Sequence, residues 1–238
     1  RRGEPRIKPP YPAQIGYLNK PTLVHNVETL ANVPHIIEHG PEWYAAIGTE
    51  KSTGPKIFCV SGHVNERGAY ELPLGIPLME IIDRNAGGVP NGKPIKAVIP
   101  GGASTPLLAA DQLEVTMAFE SLDAAGSALG TGAIIVLNED TCMVDVARRT
   151  ARFFAHESCG RCTPCRVGSQ RIWNTLERIE EGSGSYRDLE NLYNLCDQIE
   201  GNTFCPLGDA LVAPIRSSLR LFRDEYEYHL QNNGRCVA

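Results

Sequence analysis

The spacing of apolar positions changes character twice along the chain. Val27, Leu30, Val33 and Ile37 recur at helical spacing, Asn26 can cap the start, and Thr29 stands at the third helical position. A helix is therefore predicted from Asn26 to Ile37. Ahead of it, prolines at 5, 9, 10, 12 and 21 forbid a helix and predict an extended arm. Gly40-Pro41 interrupts the pattern, and Trp43, Tyr44 and Ile47 predict a short amphipathic continuation. Beyond the polar break 49–55 the chain reads as β. Strands are predicted over 56–64, 69–72, 96–99 and 133–137, with one helix over 77–84 that tolerates Pro77 in its first turn. Strands enclosing a helix make a small α+β module.

From Asp140 onward the period is helical throughout. Met143, Val146, Ala147, Thr150, Ala151 and Phe154 form one stripe. A second helix, from about Cys165 to Glu181, offers Ile172, Leu176 and Ile179. The third, 186–199, offers Leu189, Leu192, Tyr193, Cys196 and Ile199. The fourth, about 209–231, carries Leu211, Ile215, Leu219, Phe222, Tyr226 and Leu230, with Pro214 opening or kinking it. Four such helices predict a bundle.

Composition narrows the function classes. The chain has 238 residues, 42% hydrophobic and 21% charged, with a formal net charge of −5. No apolar run is long enough to span a bilayer, so no membrane insertion is expected. No basic stripe is present, which argues against a nucleic-acid binder. The opening ten residues are basic and proline-rich without an apolar stretch, unlike a signal peptide, and lack an initiator Met. The expectation is that the chain begins partway through a longer protein. Gly87-Gly88, Gly101-Gly102 and the glycines at 126, 130 and 132 form no dinucleotide-binding G-x-G-x-x-G and read as turns.

The strongest chemical signal is the run Glu157-Ser158-Cys159-Gly160-Arg161-Cys162-Thr163-Pro164-Cys165-Arg166. Cysteines at every third position on a Gly- and Pro-containing loop can turn three thiolates toward one metal centre. In the bacterial ferredoxin pattern a fourth cysteine follows four positions on, ahead of a proline. Here that position is Ser169, and the downstream Cys-Pro is Cys205-Pro206. In an up-down bundle the loop 159–165 and the loop holding Cys205 share one end, so a four-thiolate site is expected. A [4Fe-4S] cluster fits a triple plus a singleton better than zinc, whose sites favour paired C-x2-C. Zinc remains the alternative. With eight cysteines and no secretory signal, reduced thiols are expected rather than disulfides. Cys59 and Cys142 are expected as small core residues, Cys196 on the bundle's inner face, and Cys236 in a frayed tail. The dipole of the second bundle helix, with Arg161 and Arg166, favours thiolates.

The cysteine run, Phe204-Cys205-Pro206-Leu207-Gly208-Asp209, and the proline-rich Arg6–Pro12 with 26–34 together resemble the NADH-binding flavoprotein (51 kDa, F) subunit of respiratory complex I. The same pattern occurs in the flavoprotein subunits of NAD-linked hydrogenases and formate dehydrogenases. The resemblance runs the whole length of the chain. It implies the end of a flavin and NADH domain over 1–50, a soluble-ligand-binding β-grasp domain over 51–139, and a [4Fe-4S]-binding four-helix bundle over 140–238. It further implies that Cys159, Cys162, Cys165 and Cys205 hold a cluster fed by FMN and drained by a large iron-sulfur subunit. Val24, His25, Asn26 and Thr29 match a stretch lining FMN, with Pro206 and Leu207 nearby; His25 stands where the family commonly has Asn. It implies as well that the residues binding NADH and most of the FMN are absent from this chain. A thioredoxin-like [2Fe-2S] subunit is the other implied partner, and the implied location is cytoplasmic, peripheral to the membrane within a larger complex. The rival expectation is a non-redox assembly module stapled by a structural metal, which predicts metal-dependent folding without a reducible chromophore.

Overall fold

The computed structural model describes residues 7–236; the first six residues, including the beginning of the proline-rich arm with Arg6, and the last two lie outside the described residues. The arm closes on itself where the Thr22 amide donates to the Pro12 carbonyl at 2.9 Å. Asn26 then caps helix α1 (Val27–His39), its side-chain oxygen accepting from the Glu28 amide at 2.8 Å. Glu28 ties this helix to the sheet, accepting from Lys56 Nζ at 2.5 Å and the Ile57 amide at 2.7 Å. The predicted apolar stripe of α1 is real in sequence but only partly covered among the described residues: Val27 is 80% and Ile37 78% exposed, Leu30 51% and Val33 42%. A short α2 (Pro41–Ala45) leads into the module.

Five strands form one sheet: β1 (Pro55–Gly62), β2 (Gly68–Pro73), β3 (Ile95–Ile99), β4 (Leu108–Ala109) and β5 (Ala133–Asn138), in the order β2-β1-β5-β3-β4. Only β1 and β5 run parallel, and the other pairs are antiparallel. The helix predicted at 77–84 is α3 (Leu78–Glu80) continued by a π-helical turn over Ile81–Asn85. Its Leu78, Ile81 and Ile82 pack with Phe58, Val60 and Ile134 on one sheet face. The two-residue β4 and the short α4 (Phe119–Ala124) are additions to the predicted elements; α4 buries a single residue, Leu122, too little to leave a periodic signal.

Alternation along β1 corrects one expectation. Phe58 and Val60 take the core face, so Cys59 between them is exposed rather than buried.

The bundle consists of α5 (Met143–Glu157), α6 (Thr163–Glu180), α7 (Tyr186–Ile199), α8 (Leu207–Leu221) and α9 (Arg223–Gln231). The last predicted helix is thus two, broken at Phe222, whose φ of −127° and ψ of 30° leave the helical region. Pro214 sits inside α8. Ala147, Ala151, Phe154, Ile172, Leu176, Leu192, Ile215, Leu219 and Tyr226 share one core. The second sheet face closes on this bundle: Ala97, Ile99, Leu107 and Leu137 meet Met143, Val146 and Leu221. Polar contacts fasten the same seam. Lys96 Nζ lies 2.8 Å from Glu225 Oε1, the other Glu225 oxygen accepts from the Met143 amide at 3.0 Å, and the Leu107 amide donates to Ser217 Oγ at 3.0 Å.

Two ionisable groups are locked neutral in the bundle core. Burial pushes the Cys196 thiol up to about 12, Arg216 offsetting only part of it, and burial raises the Tyr226 phenol further still. Each is raised in the fold, so its contribution is complete below the unfolded value near 9 or 10 and is lost as pH rises toward the folded value. The metal-free chain should therefore lose stability between pH 9 and 12, by up to about 4 kcal/mol through Cys196. Urea unfolding at pH 8, 9.5 and 11 checks this, and Cys196→Ala should flatten the slope. An equal slope in the variant counts against the assignment.

Candidate metal centre

Two loops meet at one end of the bundle because α5 and α7 end where α6 and α8 begin. The first loop leaves α5 through Ser158 and turns at Gly160, whose φ of +80° suits glycine. It enters α6 at Cys162 as N-cap, with Pro164 in the first turn, where a missing N–H costs nothing. The second loop leaves α7 at Ile199 and enters α8 at Pro206, held by the Gly201 amide donating to Asp209 Oδ1 at 2.8 Å.

The cysteines are placed by these turns. Cys165, in the first turn of α6, is buried; Cys159 and Cys162 are half-buried, and Cys205 is exposed. Burial raises the Cys165 thiol, the Ser158 hydroxyl at 3.3 Å counters it, and the sulfurs of Cys162, Cys205 and Cys159 add repulsion. That mutual influence places all four thiols in one neighbourhood. Ser169, at the position of the missing ferredoxin cysteine, is buried one turn further along α6.

Positive charge surrounds the site. The first turn of α6 holds no acidic side chain, so its dipole is uncancelled there. The Arg161 guanidinium lies 3.5 Å from the centroid of the Phe204 ring and donates to the Lys8 carbonyl at 3.0 Å. It clamps the first cysteine loop to the second and to the N-terminal arm. Arg166 reaches back to the Gly160 carbonyl and to Thr163 Oγ1, at 3.3 Å from the latter.

Three thiols on one short loop and a fourth on the facing loop are a donor set that fits a polynuclear iron-sulfur cluster, whose cysteines bind different irons.

The residues matched to a flavin site are found on the surface. Val24, His25, Asn26 and Thr29 are exposed; Asn26 and Thr29 line an open cleft with Asn32, Tyr44, Lys56 and Thr131. Pro206 and Leu207 follow Cys205 directly at the start of α8.

A second group escapes sequence reasoning. Cys142 is the half-buried N-cap of α5, packed at the edge of the bundle core, and Cys236 lies against Cys142 and the buried His229 rather than in a frayed tail. Nothing in the local sequence links positions 142, 229 and 236.

Comparison with known proteins agrees with this architecture. Residues 56–136 match the SLBB domain and residues 145–229 the NADH-ubiquinone oxidoreductase-F iron-sulfur binding region. The second F subunit of NADH-quinone oxidoreductase from Rhizobium meliloti (strain 1021) is 50% identical over 236 residues, covering 99% of this chain and 56% of that protein. The F subunit of the Mycobacterium tuberculosis (strain ATCC 25618 / H37Rv) NADH-quinone oxidoreductase is 47% identical, over 98% of this chain and 52% of its own length. The chain thus spans about half the length of the curated relatives it matches. Among solved structures, an NAD+-reducing [NiFe]-hydrogenase in the H2-reduced state superposes with a TM-score of 0.83 at 40% identity, covering 97% of this chain and 39% of that one. With its SLBB module followed by the iron-sulfur binding region, the chain is similar along nearly its whole length to NADH-quinone oxidoreductase F subunits.

Proposed function

We propose that Cys159, Cys162, Cys165 and Cys205 ligate the [4Fe-4S] cluster of an electron-transfer subunit of NADH:quinone oxidoreductase. The observation that carries this is the meeting of the two cysteine loops around the buried Cys165. When bound, a cluster of this kind accepts and donates single electrons. The chain's own part is to supply thiolates, exclude water on the Cys165 side, and hold Arg161, Arg166 and the α6 dipole where they favour added negative charge.

The remaining roles belong to the whole protein. NADH would reduce FMN, whose site this chain completes in part through Val24, His25, Asn26, Thr29, Pro206 and Leu207. The largely exposed apolar stripe of α1 beside Asn26 and Thr29 supports a covering partner surface. A thioredoxin-like [2Fe-2S] subunit and a large iron-sulfur subunit are the proposed neighbours. No helix among the described residues is long and apolar enough to cross a membrane, in keeping with a peripheral place in a membrane-bound complex. The 40% identity to a chain of an NAD+-reducing hydrogenase supports a second reading, the same electron-transfer role in a hydrogenase.

Anaerobic reconstitution with iron and sulfide is the test. About four irons per chain and a paramagnetic signal on dithionite reduction are expected. One zinc bound by the loop cysteines, with no iron taken up, overturns the reading in favour of a structural metal.

A further inference from the structure

At the end of α5 opposite the cysteine loops, four ligating groups from separate elements come together. Cys142 caps α5, Glu180 is the last residue of α6, His229 lies in α9, and Cys236 follows it. The fifteen residues of α5 hold Cys142 roughly 22 Å from the first cysteine loop, at 1.5 Å per residue. This group therefore cannot share the proposed cluster.

The distances are those of a coordination polyhedron. Cys142 Sγ lies 3.5 Å from His229 Nε2 and 4.0 Å from Glu180 Oε2, and His229 Nε2 lies 3.4 Å from the same oxygen. The ligand atoms of Cys142, His229 and Cys236 all fall within 4.8 Å of one another. Zinc bonds of about 2.3 Å to sulfur and about 2.0–2.2 Å to nitrogen or oxygen place tetrahedral ligands about 3.4–3.8 Å apart. Cys142, His229 and Cys236 lie near this spacing, and Glu180 Oε2 adjoins the first two.

The supporting contacts favour the same chemistry. His229 is fully buried, and its Nδ1 sits 2.8 Å from the Glu225 carbonyl. That acceptor fixes the proton on Nδ1 and leaves the Nε2 lone pair facing Cys142 and Glu180, the usual orientation of a metal-binding histidine. Glu225 itself is fastened to Lys96 and the Met143 amide, so the imidazole is positioned by the seam between sheet and bundle. The tail is seated as closely. Gly234, at φ +77°, passes so near α6 that a Cβ there would stand 2.2 Å from the Glu180 carbonyl oxygen, and this turn delivers Cys236 to the cluster.

We propose that Cys142, His229, Cys236 and Glu180 form a second metal site, taking one divalent ion of zinc type as a structural clasp between the C-terminal tail and the start of α5. The two thiols give up their protons to solvent on binding, and the ion replaces the hydrogen bonds they made. The site is closed by protein ligands, so its role is structural.

The test uses the intact, tag-free protein prepared anaerobically, with zinc and iron measured together and cobalt(II) as the optical probe. About one zinc per chain beyond the iron is expected, and cobalt should give the absorption of a thiolate-bound tetrahedral ion. Cys236→Ser and His229→Gln should each weaken cobalt binding at least about tenfold with iron content unchanged. Cys159→Ser should do the reverse, losing iron and keeping zinc, which separates this claim from the cluster assignment. If His229→Gln fails to fold, Cys236→Ser, beyond the last helix, decides. Absence of zinc and of cobalt uptake overturns the proposal, as does unchanged binding in Cys236→Ser or a Cys142–Cys236 disulfide in protein free of zinc.

Discussion

Cys205→Ser is expected to abolish iron retention, from about four atoms per chain to a small residue, while the helices stay formed. The size of the effect follows from coordination chemistry. A serine hydroxyl does not ionise near neutral pH as a metal-bound thiol does, so one corner of the site would be left without an anionic ligand. The folding cost should be small because Cys205 is exposed, on a loop anchored by Thr203 and Asp209 rather than by its own side chain. Iron assay and visible absorption after anaerobic reconstitution measure the loss, and circular dichroism verifies the fold. Cys196→Ser is the control: Cys196 is fully buried and its thiol is held neutral, so iron should be kept. Full iron in Cys205→Ser together with loss in Cys196→Ser would sink the assignment.

Leu176→Ala should destabilise the chain by about 3–5 kcal/mol, the range for a fully buried leucine whose cavity relaxes only in part. Leu176 is 0% exposed, midway along α6, and shares its core with Phe154, Leu192 and Ile215. Those contacts hold α6 against α5, α7 and α8, the helices whose ends carry both cysteine loops. A loss of that size is a large part of the total stability of a domain, so the variant should also hold iron less well at 37 °C. Urea unfolding, with the denaturant slope unchanged, gives the number. A cost below about 1 kcal/mol, smaller than other leucine-to-alanine changes in packed cores, would mean that the bundle core is not as tightly built as the burial implies.

Much of the bundle can be read from periodicity because its helices bury one face against like partners. The third helix is expected at 186–199 and is found over Tyr186–Ile199, with Leu189, Leu192, Cys196 and Ile199 inside. The break between α8 and α9 leaves no such mark. Apolar positions continue through Phe222 to Tyr226 at helical spacing, and the chain turns there because Glu225 meets Lys96 and Met143, partners 129 and 82 residues away. Cys59 shows the same limit on a smaller scale. Its β-rich context is clear, but the phase of the alternation depends on which face the sheet turns to its helix.

The sequence by itself determined the α+β-then-bundle order and the three-cysteine loop, and it raised the expectation that this loop shares one end of the bundle with Cys205. These depend on local period and on the parity of helices in a bundle, both carried by neighbouring residues. Only the tertiary structure decided that the module's second sheet face closes on the bundle, that the α1 stripe is only partly covered among the described residues, and that Cys142, His229, Cys236 and Glu180 meet. Those depend on contacts between residues far apart in the chain, which no local pattern encodes.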